Sequence, residues 1–135
     1  MPAGGSKYVN APELEPPPGY THAVVVEHGR TAYLSGAVAL DKQGNVVGPG
    51  DFRAQAKQAF ANLGAVLKAA GATPASVVKL NYYVVGLDHD KLLALREIRE
   101  TFVDRAHPPA STLVGVQALF RDDLMIEIEA VAVLP

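Results

Sequence analysis

The sequence predicts an α/β (α+β) protein: one mixed β-sheet with two helices on one face. Two stretches carry apolar residues at helical spacing, and each lies between stretches that alternate like strands. The hydrophobic fraction, 49% of 135 residues, is high enough for a packed core. A chain of this length reads as one domain, with residues 1–18 as an extended N-terminal arm and 19–135 as the folded unit.

The arm contains Pro16, Pro17 and Pro18 in a row, which fix φ and remove donors. Lys7 to Asn10 has the makings of a short edge strand. Ala23-Val24-Val25-Val26 reads as a strand, and His28-Gly29-Arg30 as a turn. Thr31 to Leu40 follows as a second strand, interrupted by the small residues Ser35-Gly36-Ala37. The two strands are expected to form a hairpin. Asp41 to Asn45 and Gly48-Pro49-Gly50 are turn and loop signals.

Asp51 is an N-cap candidate for the first helix. Phe52, Ala56, Ala59, Phe60, Leu63, Val66, Leu67 and Ala70 form its apolar stripe, and Gly71 ends it. In the strand Val77 to Val85, Val78, Leu80, Tyr82 and Val84 share one face, and Lys79, Asn81 and Tyr83 the other. The second helix starts near Asp88 or Asp90 and buries Leu92, Leu95, Ile98 and Phe102. It stops before Pro108-Pro109. Ala110 to Val116 is a strand disturbed by Gly115. In the last strand, Leu124 to Leu134, even-numbered residues face the helices. Tyr83, Val85, Met125, Val131 and Val133 remain on the uncovered face. Apolar area of that kind predicts a closed oligomer.

The composition also excludes functions. There are no cysteines, so disulfides, thiolate metal sites and cysteine nucleophiles are ruled out. The net charge is −2 and the basic residues are dispersed, which disfavours a nucleic-acid partner. No apolar run reaches the roughly 20 residues of a membrane span. The N-terminus lacks the pattern of a secretory signal, so a cytoplasmic location is expected. His22, His28, His89 and His107 show no ligand spacing, and no metal is expected. Gly48-Pro49-Gly50 lacks the ending of a phosphate loop, and no nucleophile elbow occurs.

Four stretches resemble the RidA/YjgF family, also filed under older endoribonuclease L-PSP names. They are Gly19-Tyr20-Thr21-His22-Ala23, Tyr33-Leu34-Ser35-Gly36, the segment from Gln58 to Gly71 (QAFANLGAVLKAAG), and Pro108 to Val116 with the later Ile126 to Ala132. Singly each is weak; in this order and spacing they are specific, and they cover the chain from about Gly19 onward. The resemblance implies a chorismate-mutase-like fold, a homotrimer with clefts between subunits, and hydrolysis of enamines and imines to 2-keto acids and ammonia without a cofactor.

The resemblance also assigns residues. Glu127 falls where the family positions or activates water; the alternative is an ion pair of Glu127 or Glu129 with Lys79 or a neighbouring Arg. Tyr20 falls on a cleft-lining tyrosine, and Ser35 and Gly36 on the pocket floor. Ser111 stands where deaminating members carry the arginine that binds the substrate carboxylate. A hydroxyl supplies no charge, and losing such a bidentate contact costs about 1.5–3 kcal/mol. Thr112 offers a further hydroxyl. Arg96 is a candidate replacement cation, set against a solvated arginine beside Glu97, Arg99 and Glu100. His22 is a proton-shuttle candidate, set against a structural role.

Two function classes therefore stay open: an imine deaminase with altered specificity, and a binding trimer that has lost the reaction. Endoribonuclease activity is a weaker third, disfavoured by the acidic balance.

Overall fold

The computed structural model describes residues 5–135. Two strands, β1 (Ser6–Val9) and β2 (Ala23–Val26), form a small antiparallel ribbon. The main sheet holds β3 (Arg30–Tyr33), β4 (Val77–Val85), β5 (Ala110–Val116) and β6 (Ile126–Leu134), in the order β3-β6-β4-β5. β6 runs antiparallel to both β3 and β4, so β3 and β4 are parallel to each other. β5 pairs with β4 in parallel. The two parallel crossovers are made by α1 (Phe52–Ala69) and α2 (His89–Arg99), which the topology requires because parallel strands cannot be joined by a tight turn. Neither helix is long and apolar enough to cross a membrane.

Both helices start where local chemistry says they should. Asp51 accepts from the Ala54 N–H at 3.0 Å, and Asp88 from the Lys91 N–H at 2.8 Å. That contact to Lys91, with the lysine charge beside it, holds the Asp88 carboxyl below its ordinary value. Asp51→Ala is expected to cost about 1 kcal/mol of stability, read by denaturant titration. An unchanged midpoint would show that the cap is redundant.

The core lies between the helices and one sheet face. It joins Phe60, Leu63 and Leu67 of α1 and Leu95 and Ile98 of α2 to Leu80, Tyr82, Ile126 and Ile128. The stripe on α1 is shifted from the expected one. Val66 is 47% exposed and Ala70 is also exposed, whereas Gln55 is fully buried. Burying Gln55 is tolerable because its amide is satisfied. It donates to the Gly48 carbonyl at 3.2 Å and the Asp123 carbonyl at 3.0 Å, and accepts from the Met125 N–H at 2.9 Å.

Two expectations are corrected. β2 and β3 do not form a hairpin: β2 pairs with β1, and β3 with β6. Gly29 does adopt positive φ (116°), but there the chain leaves one sheet for the other. The uncovered face is also less bare than its pattern suggested. Val133 is buried, with Val78, beneath Val24 of the ribbon. Tyr83, Val85 and Val131 are half-buried, and Met125 packs against the main core. What stays most open there is Tyr33, which is 82% exposed and sits opposite Val131.

Candidate functional site

The second strand expected from Thr31 to Leu40 ends at Tyr33, and the reason shapes the site. The Leu34 N–H donates to the Ala130 carbonyl at 3.0 Å, while Ala37 exchanges both backbone bonds with Ile128, at 2.7 and 2.9 Å. Three residues on one strand thus span two on the other, so Ser35 and Gly36 form a bulge in the ladder. Asn62 of α1 holds the chain beyond it, donating to the Val38 carbonyl at 2.7 Å and the Leu40 carbonyl at 2.9 Å.

Glu127 lies over that bulge. A Cβ on Gly36 would sit 1.9 Å from Glu127 Oε2, so only glycine leaves the carboxylate its place. Among the described residues, no hydrogen bond or ion pair reaches this half-buried carboxylate. Burial, with the charge of Glu129 nearby, pushes the Glu127 carboxyl above its ordinary value. Glu129, two residues along the same face, is occupied: Tyr83 Oη donates to it, as does Asn81 Nδ2 at 3.1 Å. The hydrogen bond to Glu129, then burial and the charges of Glu129 and Glu127, raise the Tyr83 hydroxyl. Lys79 pairs with neither glutamate, donating instead to Thr112 Oγ1 at 2.8 Å. Ser35 and Gly36 also line an open cleft of about 470 Å³ with Tyr33, Asn62 and Val66. Exposure of Val66 is thereby accounted for.

Tyr20, Arg96 and Ser111 come together elsewhere. They line a second cleft, of about 220 Å³, with Pro18, Leu92, Arg99 and Leu113. Thr21 fixes Tyr20 there: its N–H donates to the Pro109 carbonyl at 3.2 Å and its hydroxyl to the Pro108 carbonyl at 2.5 Å. His22 is structural. Its Nδ1 accepts from the Ala11 N–H at 3.1 Å, and its own N–H donates to Asn10 Oδ1 at 2.9 Å. Arg96 is exposed at the cleft, as a solvated arginine would be, but Arg99 is not part of an open charged surface. Its side chain is only 11% exposed. The signal for Arg99 was available in the sequence, since it follows Arg96 by three residues and shares its helix face.

The two clusters face opposite ways. Ser111 is in register with Leu80, on the helix side of the sheet; Glu127 is in register with Tyr83, on the other. Thr112, next along β5, points with Asn81 away from Ser111, so the two hydroxyls do not share a cleft. Among the described residues the two clefts share no lining side chain, and Glu127 lines neither. Among the described residues, no group of three or more acidic or histidine side chains is placed to hold a metal ion.

Comparison with known proteins agrees with the fold and the motifs. The family model described as endoribonuclease L-PSP matches residues 10–134. A 2-iminobutanoate/2-iminopropanoate deaminase of Dermatophagoides farinae is 32% identical over 128 residues, covering 95% of this chain and 97% of that protein. The protein of the same name from Mus musculus is 40% identical over 114 residues, covering 84% and 80%. A solved Rid-family protein of Yersinia pestis superposes with a TM-score of 0.86 at 40% identity, covering 96% of this chain and 99% of its own. RidA from a Psychrobacter species gives 0.69 at 31% identity, covering 85% and 88%. With a family model spanning nearly the whole chain and relatives above 30% identity over most of it, the protein belongs to the endoribonuclease L-PSP family, known also as the RidA/YjgF family.

Proposed function

We propose that the protein binds a small planar imine or carbonyl compound in a cleft between copies of itself and hydrolyses imines to a 2-keto acid and ammonia. The observation that carries this reading is the Glu127 carboxylate: among the described residues unpaired, half-buried, raised above its ordinary value by burial, and held over a glycine. A carboxylate raised in this way is a stronger proton acceptor than a solvated one, as a general base needs. Glu127 takes a proton from the water that adds to the imine carbon. It passes that proton to nitrogen, giving the carbinolamine, then takes the hydroxyl proton and delivers it to nitrogen as the carbon–nitrogen bond breaks, leaving the 2-keto acid and ammonia. The names of the deaminase relatives support the same reaction class.

The opposed half-sites support a homotrimer. One chain presents Glu127 and Gly36 on one side and Tyr20, Arg96 and Ser111 on the other. Packing one copy's open sheet face near the next copy's second cleft would bring the two sets together. Mass measurement in solution tests this, and a clean monomer would contradict it.

A second reading, a binding trimer without catalysis, is favoured by Ser111, which lacks the charge of the arginine it replaces. One assay separates the two. A pyridoxal-phosphate dehydratase generates 2-aminoacrylate in situ, and keto-acid release is followed with and without this protein. Acceleration across a panel of amino-acid imines is expected; rates equal to buffer throughout would leave only the binding reading. Cleavage of single-stranded RNA at low salt would instead revive the nuclease reading.

A further inference from the structure

Arg99 is the charged group in the second cleft that the proposed reaction leaves unused. Its guanidinium is largely buried and poorly partnered. Nη2 lies 3.5 Å from the Pro18 carbonyl, at the outer limit of a hydrogen bond, and makes a loose ion pair with Glu100 Oε1 at 3.5 Å. The other Glu100 oxygen is already held by Arg105 Nε at 2.7 Å. Among the described residues, Arg99 Nε is buried with no hydrogen-bond partner, and so is the Tyr82 hydroxyl, on which the Arg99 charge acts. A buried guanidinium with unfilled donors is costly until an anion reaches it.

The surroundings leave that anion to come from outside. The cleft is lined by two arginines and no acid. The nearby acids are largely engaged elsewhere: Glu97 pairs with Arg53 at 3.0 Å, and Glu100, just past α2, is held more closely by Arg105 at 2.7 Å than by Arg99 at 3.5 Å. Space for the guanidinium is kept by Gly19, at φ 82°, where a Cβ would sit 2.2 Å from Arg99 Nη2. The result is a pre-placed planar fork beside Ser111, on the side of the sheet where that serine supplies no charge.

We propose that Arg99, assisted by Arg96, is the anion-binding residue of this cleft. It takes a small carboxylate from α2, where other family members use an arginine on the strand. The proposal rests on the cleft being a ligand site, as in the reading above. The competing role for Arg99 is a structural staple that ties the segment at Pro18 to α2.

Calorimetric titration of the purified oligomer with 2-oxobutanoate and its neutral analogue 2-oxobutanamide tests this. The wild type is expected to bind the acid more tightly than the amide. Arg99→Gln is expected to weaken the acid about ten- to hundredfold and to leave the amide unchanged. Arg99→Lys, which keeps charge but loses the fork, should fall between, and Arg96→Gln should show a smaller loss. An Arg99→Gln protein that binds the acid as the wild type does overturns the proposal. Equal loss of both ligands also overturns it, in favour of the staple. A wild type that binds neither ligand instead removes the underlying site reading. Should the Gln and Lys variants not fold, a crystal structure of the wild type with 2-oxobutanoate decides. Carboxylate oxygens within hydrogen-bond distance of Arg99 support the assignment, and a carboxylate bound elsewhere overturns it.

Discussion

Glu127→Gln is expected to lower kcat/KM for imine hydrolysis by about 10²- to 10⁴-fold, the usual contribution of a positioned general base. The amide keeps the shape of the side chain but cannot accept the proton from water. The pH profile carries a second signature. Burial raises the wild-type carboxyl, so the acid limb of kcat/KM should lie above the range of an ordinary solvated glutamate and be missing from the variant. Stability should move the other way. A carboxyl whose folded-state pKa is raised favours the fold below its unfolded value, and that contribution is lost as pH rises through the folded value. Removing the charge should therefore leave the variant at least as stable as the wild type at neutral pH, with any advantage shrinking as the solution is acidified. Thermal melts across pH read this directly. A variant that melts well below wild type at neutral pH, or one that keeps its activity, would remove Glu127 from the role of base.

Gly36→Ala should reach the same group without touching it. The added methyl would lie 1.9 Å from Glu127 Oε2 and 2.6 Å from its Cδ. Gly36 is not at positive φ, so the backbone accepts alanine without strain. The obstructed atoms belong to the free end of a flexible side chain, which can swing aside. The fold should therefore survive while the carboxylate is displaced. Misplacing a reacting group by about 1 Å can cost about 10²-fold, and a loss of that order with a near wild-type melting temperature is the expected result. Unimpaired kinetics would mean that the carboxylate position over the bulge is not the working one. A collapse in stability would mean that the glycine serves strand packing.

Legibility in the sequence followed the range of the interactions involved. Asp51 and Asp88 announced the helices because a cap is settled within four residues. The alternation in β4 and β6 likewise told which residues face the helices. Val66 and Gln55 exchanged places because burying an amide depends on acceptors at Gly48 and Asp123, and the second of these is far along the chain. The hairpin expected between β2 and β3 does not form, for a related reason. β2 reads as a strand on its own, but its choice of β1 over β3 is made by what can cover Val133. In the sequence Ser111 and Thr112 both read as ligand contacts, but neighbouring strand residues point to opposite faces, and β5 obeys that rule.

By itself the sequence determined the element types and their order, the motifs that mark the family, and the uncharged serine at position 111. All of these are local in the chain, written in periodicity, caps and short patterns. Only the tertiary structure decided that Glu127 is unpaired above Gly36, that Ser111 lies on the far side of the sheet from it, and that a buried Arg99 stands beside that serine. Those facts depend on the register between strands and on side chains brought together from distant segments. Such pairings set burial and partnership, which a one-dimensional pattern does not contain.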